Sequence, residues 1–279
     1  MKRLVIILLL LSATLIASAQ PLASGAFAPG ESLTYTVSFR AKIWVNTNIG
    51  EVTGKVTSES VDGTPAWRIS AQAVTFKMAR MLFKLDDRLN TWLSTADGMP
   101  IQFKQDINEG NFHTDSHYYY NWKEGSALAR FRKYEGPWKD TPIELTNSVR
   151  DYLAHFYALR NSNIDKTMRR GESKKIGIIL NDTVKYINYQ YLGPEEKDIT
   201  GIGKVSTIKI ACQLALPEDE VLEEGNVFYL WLSNDRNYIP LYIETPTRYG
   251  VAKARLSSYS GLKYPRESVL LGSKLQPAK

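Results

Sequence analysis

Cysteine is almost missing from this chain: Cys212 is the only one in 279 residues, so no disulfide can form within the molecule whatever its redox compartment. Cys212 falls in an alternating run with Ile208, Ile210 and Leu214 on the same parity, which reads as a small core residue rather than a nucleophile. Catalytic signatures are missing too. There is no Gly-x-Ser-x-Gly elbow and no His-Glu-x-x-His pair, so no hydrolase motif stands. Gly201-Ile202-Gly203-Lys204 resembles a phosphate loop, but Val205 occupies the position where a Ser or Thr hydroxyl is required. No cofactor is expected. The formal net charge is +6, with cations scattered and no basic run, so nucleic acid is not an expected partner.

The N-terminus carries an export signal. Lys2 and Arg3 precede an apolar stretch from Leu4 to Ile16, and Ala17-Ser18-Ala19 supplies small residues before Gln20. The stretch is shorter than the roughly 20 residues that span a bilayer. Cleavage is expected after Ala19, so residues 1–19 are a signal peptide and the mature chain is periplasmic or secreted. No cysteine lies at the cleavage point to accept a lipid, and no stable membrane anchor is expected. Removing these residues leaves 260 with a net charge of +4.

From Glu31 onward apolar and polar residues alternate with the period of half-buried strands. Leu33, Tyr35, Val37 and Phe39 alternate with Thr34, Thr36 and Ser38; Ile101, Phe103 and Ile107 alternate with Gln102, Lys104 and Asp106. Similar runs continue to Ser258, and Asp62-Gly63, Asp97-Gly98, Glu124-Gly125 and Asn181-Asp182 fall between them as hairpin turns. One segment differs. In Ser148 to Arg160 the residues Val149, Tyr152, Leu153, Phe156 and Tyr157 recur at helical spacing, with Ser148 and Asp151 in a capping-box-like start.

A lone apolar helical stripe must bury itself against the sheet. The expected fold is therefore mainly β: a large curved antiparallel sheet or open β-barrel with one packed amphipathic helix. Residues 20–30 read as a flexible leader, 31–262 as a single β-rich domain and 263–279 as a polar tail. No repeat at a fixed period is visible.

Towards the C-terminus, Trp231-Leu232-Ser233-Asn234-Asp235, then Ile239-Pro240-Leu241-Tyr242-Ile243-Glu244 and Gly250, resemble the closing signature of the family known as domain of unknown function 3108. Gly30-Glu31-Ser32-Leu33-Thr34-Tyr35, the helix from Asp151-Tyr152-Leu153 to Leu159-Arg160, and Gly203 with Lys204 to Ile210 are similar to other parts of it. The resemblance implies an exported, mostly β domain and carries over no catalytic residue. Without it, Ser233, Asp235 and Pro240 already read as turn formers, with Trp231 packing across the hairpin.

The candidates for chemistry are few. His113, Asp115 and His117 share one face of a strand, where two imidazoles and a carboxylate could flank a metal or serve as acid and base. A solvated strand face is the simpler reading. Met78, Met81 and Phe83 among Lys77, Arg80 and Lys84 make a basic, greasy lip that could meet lipid, and Tyr152 and Phe156 could line a cavity with them.

Three functions follow from these readings. In the first, a non-enzymatic envelope protein binds or carries a lipid-like or other hydrophobic ligand, by fold-level analogy with exported half-barrel carriers. In the second, a glycan-binding or hydrolytic envelope enzyme uses the His113/Asp115/His117 face. The third is a structural assembly partner.

Overall fold

The computed structural model describes residues 22–41, 47–81, 84–215, 227–247 and 250–278. The signal peptide expected at 1–19 and the candidate Phe83 lie outside the described residues. Among the described residues fifteen strands form one sheet: β1 (Ser32–Ala41), β2 (Thr47–Val61), β3 (Thr64–Thr75), β4 (Asp86–Ser94), β5 (Pro100–Glu109), β6 (Phe112–Asn121), β7 (Ser126–Lys133), β8 (Lys139–Glu144), β9 (Val149–Arg150), β10 (Ser173–Leu180), β11 (Thr183–Ile199), β12 (Gly203–Ala215), β13 (Val227–Ser233), β14 (Pro240–Thr247) and β15 (Gly250–Ser260). Their order is β8-β7-β6-β5-β4-β3-β2-β1-β15-β14-β13-β12-β11-β10-β9. Every pairing is antiparallel except β9 with β10.

The sheet does not close by backbone pairing, yet its ends meet. Lys139 at the start of β8 reaches Asp182, in the turn between β10 and β11, at 2.7 Å. Tyr120 of β6 accepts the backbone N–H of Asp151, just past β9, at 2.7 Å. An open barrel results, as the alternation implies. Its upper end carries the turns at 62–63, 95–99, 122–125, 200–202 and 234–239; its lower end carries those at 110–111, 134–138 and 181–182 and the connection after β3.

Helix α1 (Tyr152–Asn161) lies inside this curl, and a short α2 (Ile164–Thr167) follows it. The helix starts later than Ser148 because Val149 and Arg150 are drawn into pairing with Gly177 and Ile178. Asp151 is the N-cap, its carboxylate accepting Ala154 N at 2.7 Å. The burial is broader than one stripe. Tyr152, Leu153, Ala154, His155, Tyr157, Ala158, Leu159 and Arg160 are all buried, since a helix inside a curled sheet meets strands on several sides.

Two expectations about the chain ends need correction. The leader is packed rather than loose: Leu22 and Phe27 are fully buried, and Phe27 meets the Tyr157 ring edge-on at 4.6 Å. Ala26 N donates to Asn161 Oδ1 at 2.8 Å, and a Cβ on Gly25 would push that side chain aside and cost this bond. The tail is tied down as well. Leu270 is buried, Val269 N donates to Asp235 Oδ2 at 2.8 Å, and Tyr264 N donates to Asn237 Oδ1 at 2.9 Å. Both segments seal the upper end, because the wide mouth of a large barrel would otherwise leave α1 wet.

The sheet also contains a repeat. Gly30-Glu31-Ser32 opens β1 and Gly171-Glu172-Ser173 opens β10. Gly30 N donates to Val56 O and Val56 N to Glu31 O, at 2.9 and 3.0 Å; Gly171 N donates to Tyr191 O and Tyr191 N to Glu172 O, at 2.8 and 3.0 Å. Trp92-Leu93-Ser94 of β4 matches Trp231-Leu232-Ser233 of β13, each with a register shift after the Trp and Pro100 or Pro240 opening the next strand. On the outer face Trp92 Nε1 donates to Glu59 at 2.7 Å and Trp231 Nε1 to Glu195 at 2.5 Å. Arg68 and Lys209 cover the two rings at 5.6 and 5.1 Å. β1–β6 and β10–β15 are thus two copies of one six-stranded unit, joined where β1 pairs with β15.

Candidate functional site

An apolar recess lies at that junction, between the inner face of the sheet and α1. Leu33 and Tyr35 of β1, Val52 and Gly54 of β2, Ile69 and Ala71 of β3, Ile243 of β14 and Ala254 of β15 form its sheet side; Leu153, Phe156 and Tyr157 form its helix side. Period-two alternation points the strand residues inward, and i, i+3, i+4 spacing gathers the helix residues on one face. The recess holds about 40 Å³, less than an aromatic-sized cavity of roughly 150 Å³. Phe156 is only half-buried while its helical neighbours are buried. Tyr35 has its hydroxyl buried with no hydrogen-bond partner among the described residues, an unusual state for a polar atom in a core.

The helix wall is held by buried polar contacts. Arg160 donates Nη1 to Glu31 Oε1 at 2.5 Å and Nη2 to Oε2 at 2.7 Å, and Nε to Asn237 O at 3.1 Å. Both side chains are fully buried. Burial alone would lower the pKa of Arg160, but the charge and hydrogen bonds of Glu31 outweigh it and raise it. At the other end of the helix, Asp151 accepts from Thr91 Oγ1 and Tyr120 OH, both at 3.1 Å. Burial pushes its pKa up to about 6, against the hydrogen bonds from Ala154 N, Tyr120 and Thr91. His155 bonds Gly177 O through Nε2 at 2.7 Å; burial and the Arg150 charge bring it down to about 3, so it stays neutral.

Sequence reasoning did not flag Asp87. It is fully buried on the inner face of β4, and Oδ1 accepts Asn108 N at 2.7 Å. Its Oδ2 has no partner among the described residues. Burial pushes its pKa up to about 8, opposed by the Asn108 hydrogen bond and reinforced by the charges of Glu109, Asp106 and Asp86. The clue was available: Asp87 and Leu89 share parity on an alternating strand.

The sequence-predicted candidates scatter. His113 and Asp115 meet on the outer face, but their third companion is Asp106, not His117. His113 Nε2 lies 3.1 Å from Asp106 Oδ1 and 3.7 Å from Asp115 Oδ2, and one ligand atom from each of the three residues falls within 4.8 Å of the others. These three could hold a metal only by displacing Arg132, whose Nε sits 2.6 Å from Asp115 Oδ2. His117 lies against the Trp138 ring at 4.8 Å. Asp106 was missed because it reaches Asp115 only through the β5–β6 register.

Of the four proposed ligand-binding residues that are described, only Phe156 lines the recess. Met78 and Met81 stand exposed at the lower end. Tyr152 is spent elsewhere, donating to Gln105 Oε1 at 2.7 Å and packing on Phe103 at 5.3 Å. The Trp231, Ser233, Asp235 and Pro240 turn is structural: Ile239 N donates to Ser233 Oγ at 2.8 Å and Asn237 N to Asp235 Oδ1 at 2.7 Å. Cys212 is buried, and burial pushes its thiol pKa up.

A curled antiparallel sheet around a lumenal helix defines a β-barrel-like protein, and the comparison with solved structures agrees. The chain is similar to a beta-barrel-like protein of domain of unknown function DUF1849 from Brucella abortus, with a TM-score of 0.56 and 11% identity over 84% of this chain and 98% of that one. That likeness is one of fold. Residues 34–257 match the family described as Protein of unknown function (DUF3108), and the chain belongs to it. No curated protein matches the sequence.

Proposed function

We propose that this chain is an exported, non-enzymatic envelope protein that takes up an apolar ligand in the lumen beside α1. The supporting observation is the recess at the junction of the two six-stranded units, apolar on nearly every side and bounded by the half-buried Phe156. Concave, mostly apolar sites with a single polar group are the usual form of small-molecule pockets, and the Tyr35 hydroxyl is such a group, buried without a partner among the described residues. Because the recess is small, a long alkyl chain enters only as the Phe156 ring swings aside. A ligand with a hydrogen-bonding head next to an alkyl tail suits this chemistry.

The test is equilibrium binding of a fluorescent fatty-acid probe. Gly54→Leu places a side chain in the recess, where a Cβ would make ordinary contacts of 3.7 Å or more; it is expected to weaken binding at least about ten-fold. Phe156→Ala enlarges the space and is expected to preserve or tighten it. Probe binding that Gly54→Leu leaves unchanged, or no binding by the unaltered protein, would refute the reading.

A further inference from the structure

The connection between β3 and β4 is unlike the rest of the surface. Met78 is 88% and Met81 91% exposed, and Phe76 beside them is 37% exposed. Soluble proteins seldom leave large apolar side chains grouped and bare unless something covers them. The backbone presents them firmly: residues Ala79–Met81 form a 3-10 turn, Arg80 N donates to Phe76 O at 3.0 Å, and Arg80 Nε donates to Thr75 O at 3.0 Å.

Three cations stand among these side chains. Lys77, Arg80 and Lys84 are all exposed, and among the described residues none of the three lies within ion-pair distance of a carboxylate. Protruding apolar side chains ringed by unpaired cations match the boundary of an anionic bilayer, where methionines enter the acyl region and cations meet headgroup phosphates. The position fits a route to the lumen, since β3 runs from Ile69 and Ala71 in the recess through Ala73 to Thr75 and then Phe76.

We propose that this lip is a membrane-docking surface that seats the lower end of the barrel on a bilayer rich in anionic lipid. The lip sits apart from the recess, and the two readings can fail separately.

The experiment is co-sedimentation of the purified protein with vesicles of phosphatidylglycerol and phosphatidylcholine, and with phosphatidylcholine alone. Binding is expected to the anionic vesicles, at least ten-fold weaker to the neutral ones, and to fall as salt is raised. Met78→Ser with Met81→Ser, and separately Lys77→Glu with Lys84→Glu, should each weaken anionic binding at least ten-fold. Both double variants should keep the unaltered protein's urea unfolding midpoint, which shows that they fold. Gly54→Leu should keep vesicle binding. Failure of the unaltered protein to bind anionic vesicles, equal binding to both vesicle types, or variants that bind like the unaltered protein would overturn the proposal. A partner protein alone covering the lip would give the first of these results.

Discussion

A guanidinium and a carboxylate taken wholly out of water cost several kcal/mol each unless the geometry repays them. Arg160 and Glu31 meet that condition, with two parallel hydrogen bonds between them and two further donors, on Nε and Nη2, given to Asn237 O. Phe27 and Tyr157 close over the guanidinium at 5.3 and 5.1 Å. Glu31→Gln should therefore cost about 3 to 5 kcal/mol in urea unfolding, because it strands a buried cation, and adding Arg160→Met should recover most of it. A double variant no better than the single would show that the pair contributes net stability. Phe156 tests the recess at the same scale. Leu153 is buried, so Leu153→Ala should cost about 2 to 5 kcal/mol. Phe156→Ala should cost under about 2 kcal/mol, since the ring is only partly buried and a fully buried Phe would lose about 3 to 5. Equal losses at the two positions would mean that the recess is closed in solution.

Among the elements, α1 and β4 carry ionisable groups inside the barrel, and their signs make stability depend on pH. A carboxyl with a raised folded pKa holds a proton that the unfolded chain has released, so stability falls as pH rises between the unfolded and folded values. For Asp151 that window runs from about 4 to about 6. For Asp87 it runs from about 4 to about 8. His155, lowered to about 3, acts oppositely, adding stability as pH rises towards its unfolded value of about 6.5. Above that point Asp87 alone of the three still changes. Urea midpoints should therefore fall between about pH 6.5 and 8, by up to about 1.4 kcal/mol per pH unit, and Asp87→Asn should flatten the trend. A slope that survives Asp87→Asn would assign it to another group.

At the scale of the whole molecule, alternation made the strands legible and a helical stripe made α1 legible, because inside-outside periodicity is local. What stayed hidden depended on register or closure. Strands β8 and β9 were not foreseen: Lys139–Glu144 includes Pro142 and shows little alternation, and Val149–Arg150 is too short to show any. The repeat was invisible because, Leu93 and Leu232 aside, the copies share mainly turn and outer-face residues such as Gly30 with Gly171 and Trp92 with Trp231, while their inner faces differ. Those inner faces pack different things, α1 among them.

The packing of residues 22–30 and of the tail could not be read from local composition. Their few apolar anchors, Leu22, Phe27 and Leu270, become core only where the barrel mouth receives them. The candidate site divides the same way. The exposure of one strand face and the greasy, basic character of the lip are properties of neighbouring residues and can be read locally along the chain. The recess joins β1, β2, β3, α1, β14 and β15, the Asp106–His113–Asp115 group needs the β5–β6 register, and Arg160 finds Glu31 across 129 positions. These juxtapositions exist only in the folded chain, because periodicity tells a side chain which face it occupies but not which distant segment the curl of the sheet will bring against it.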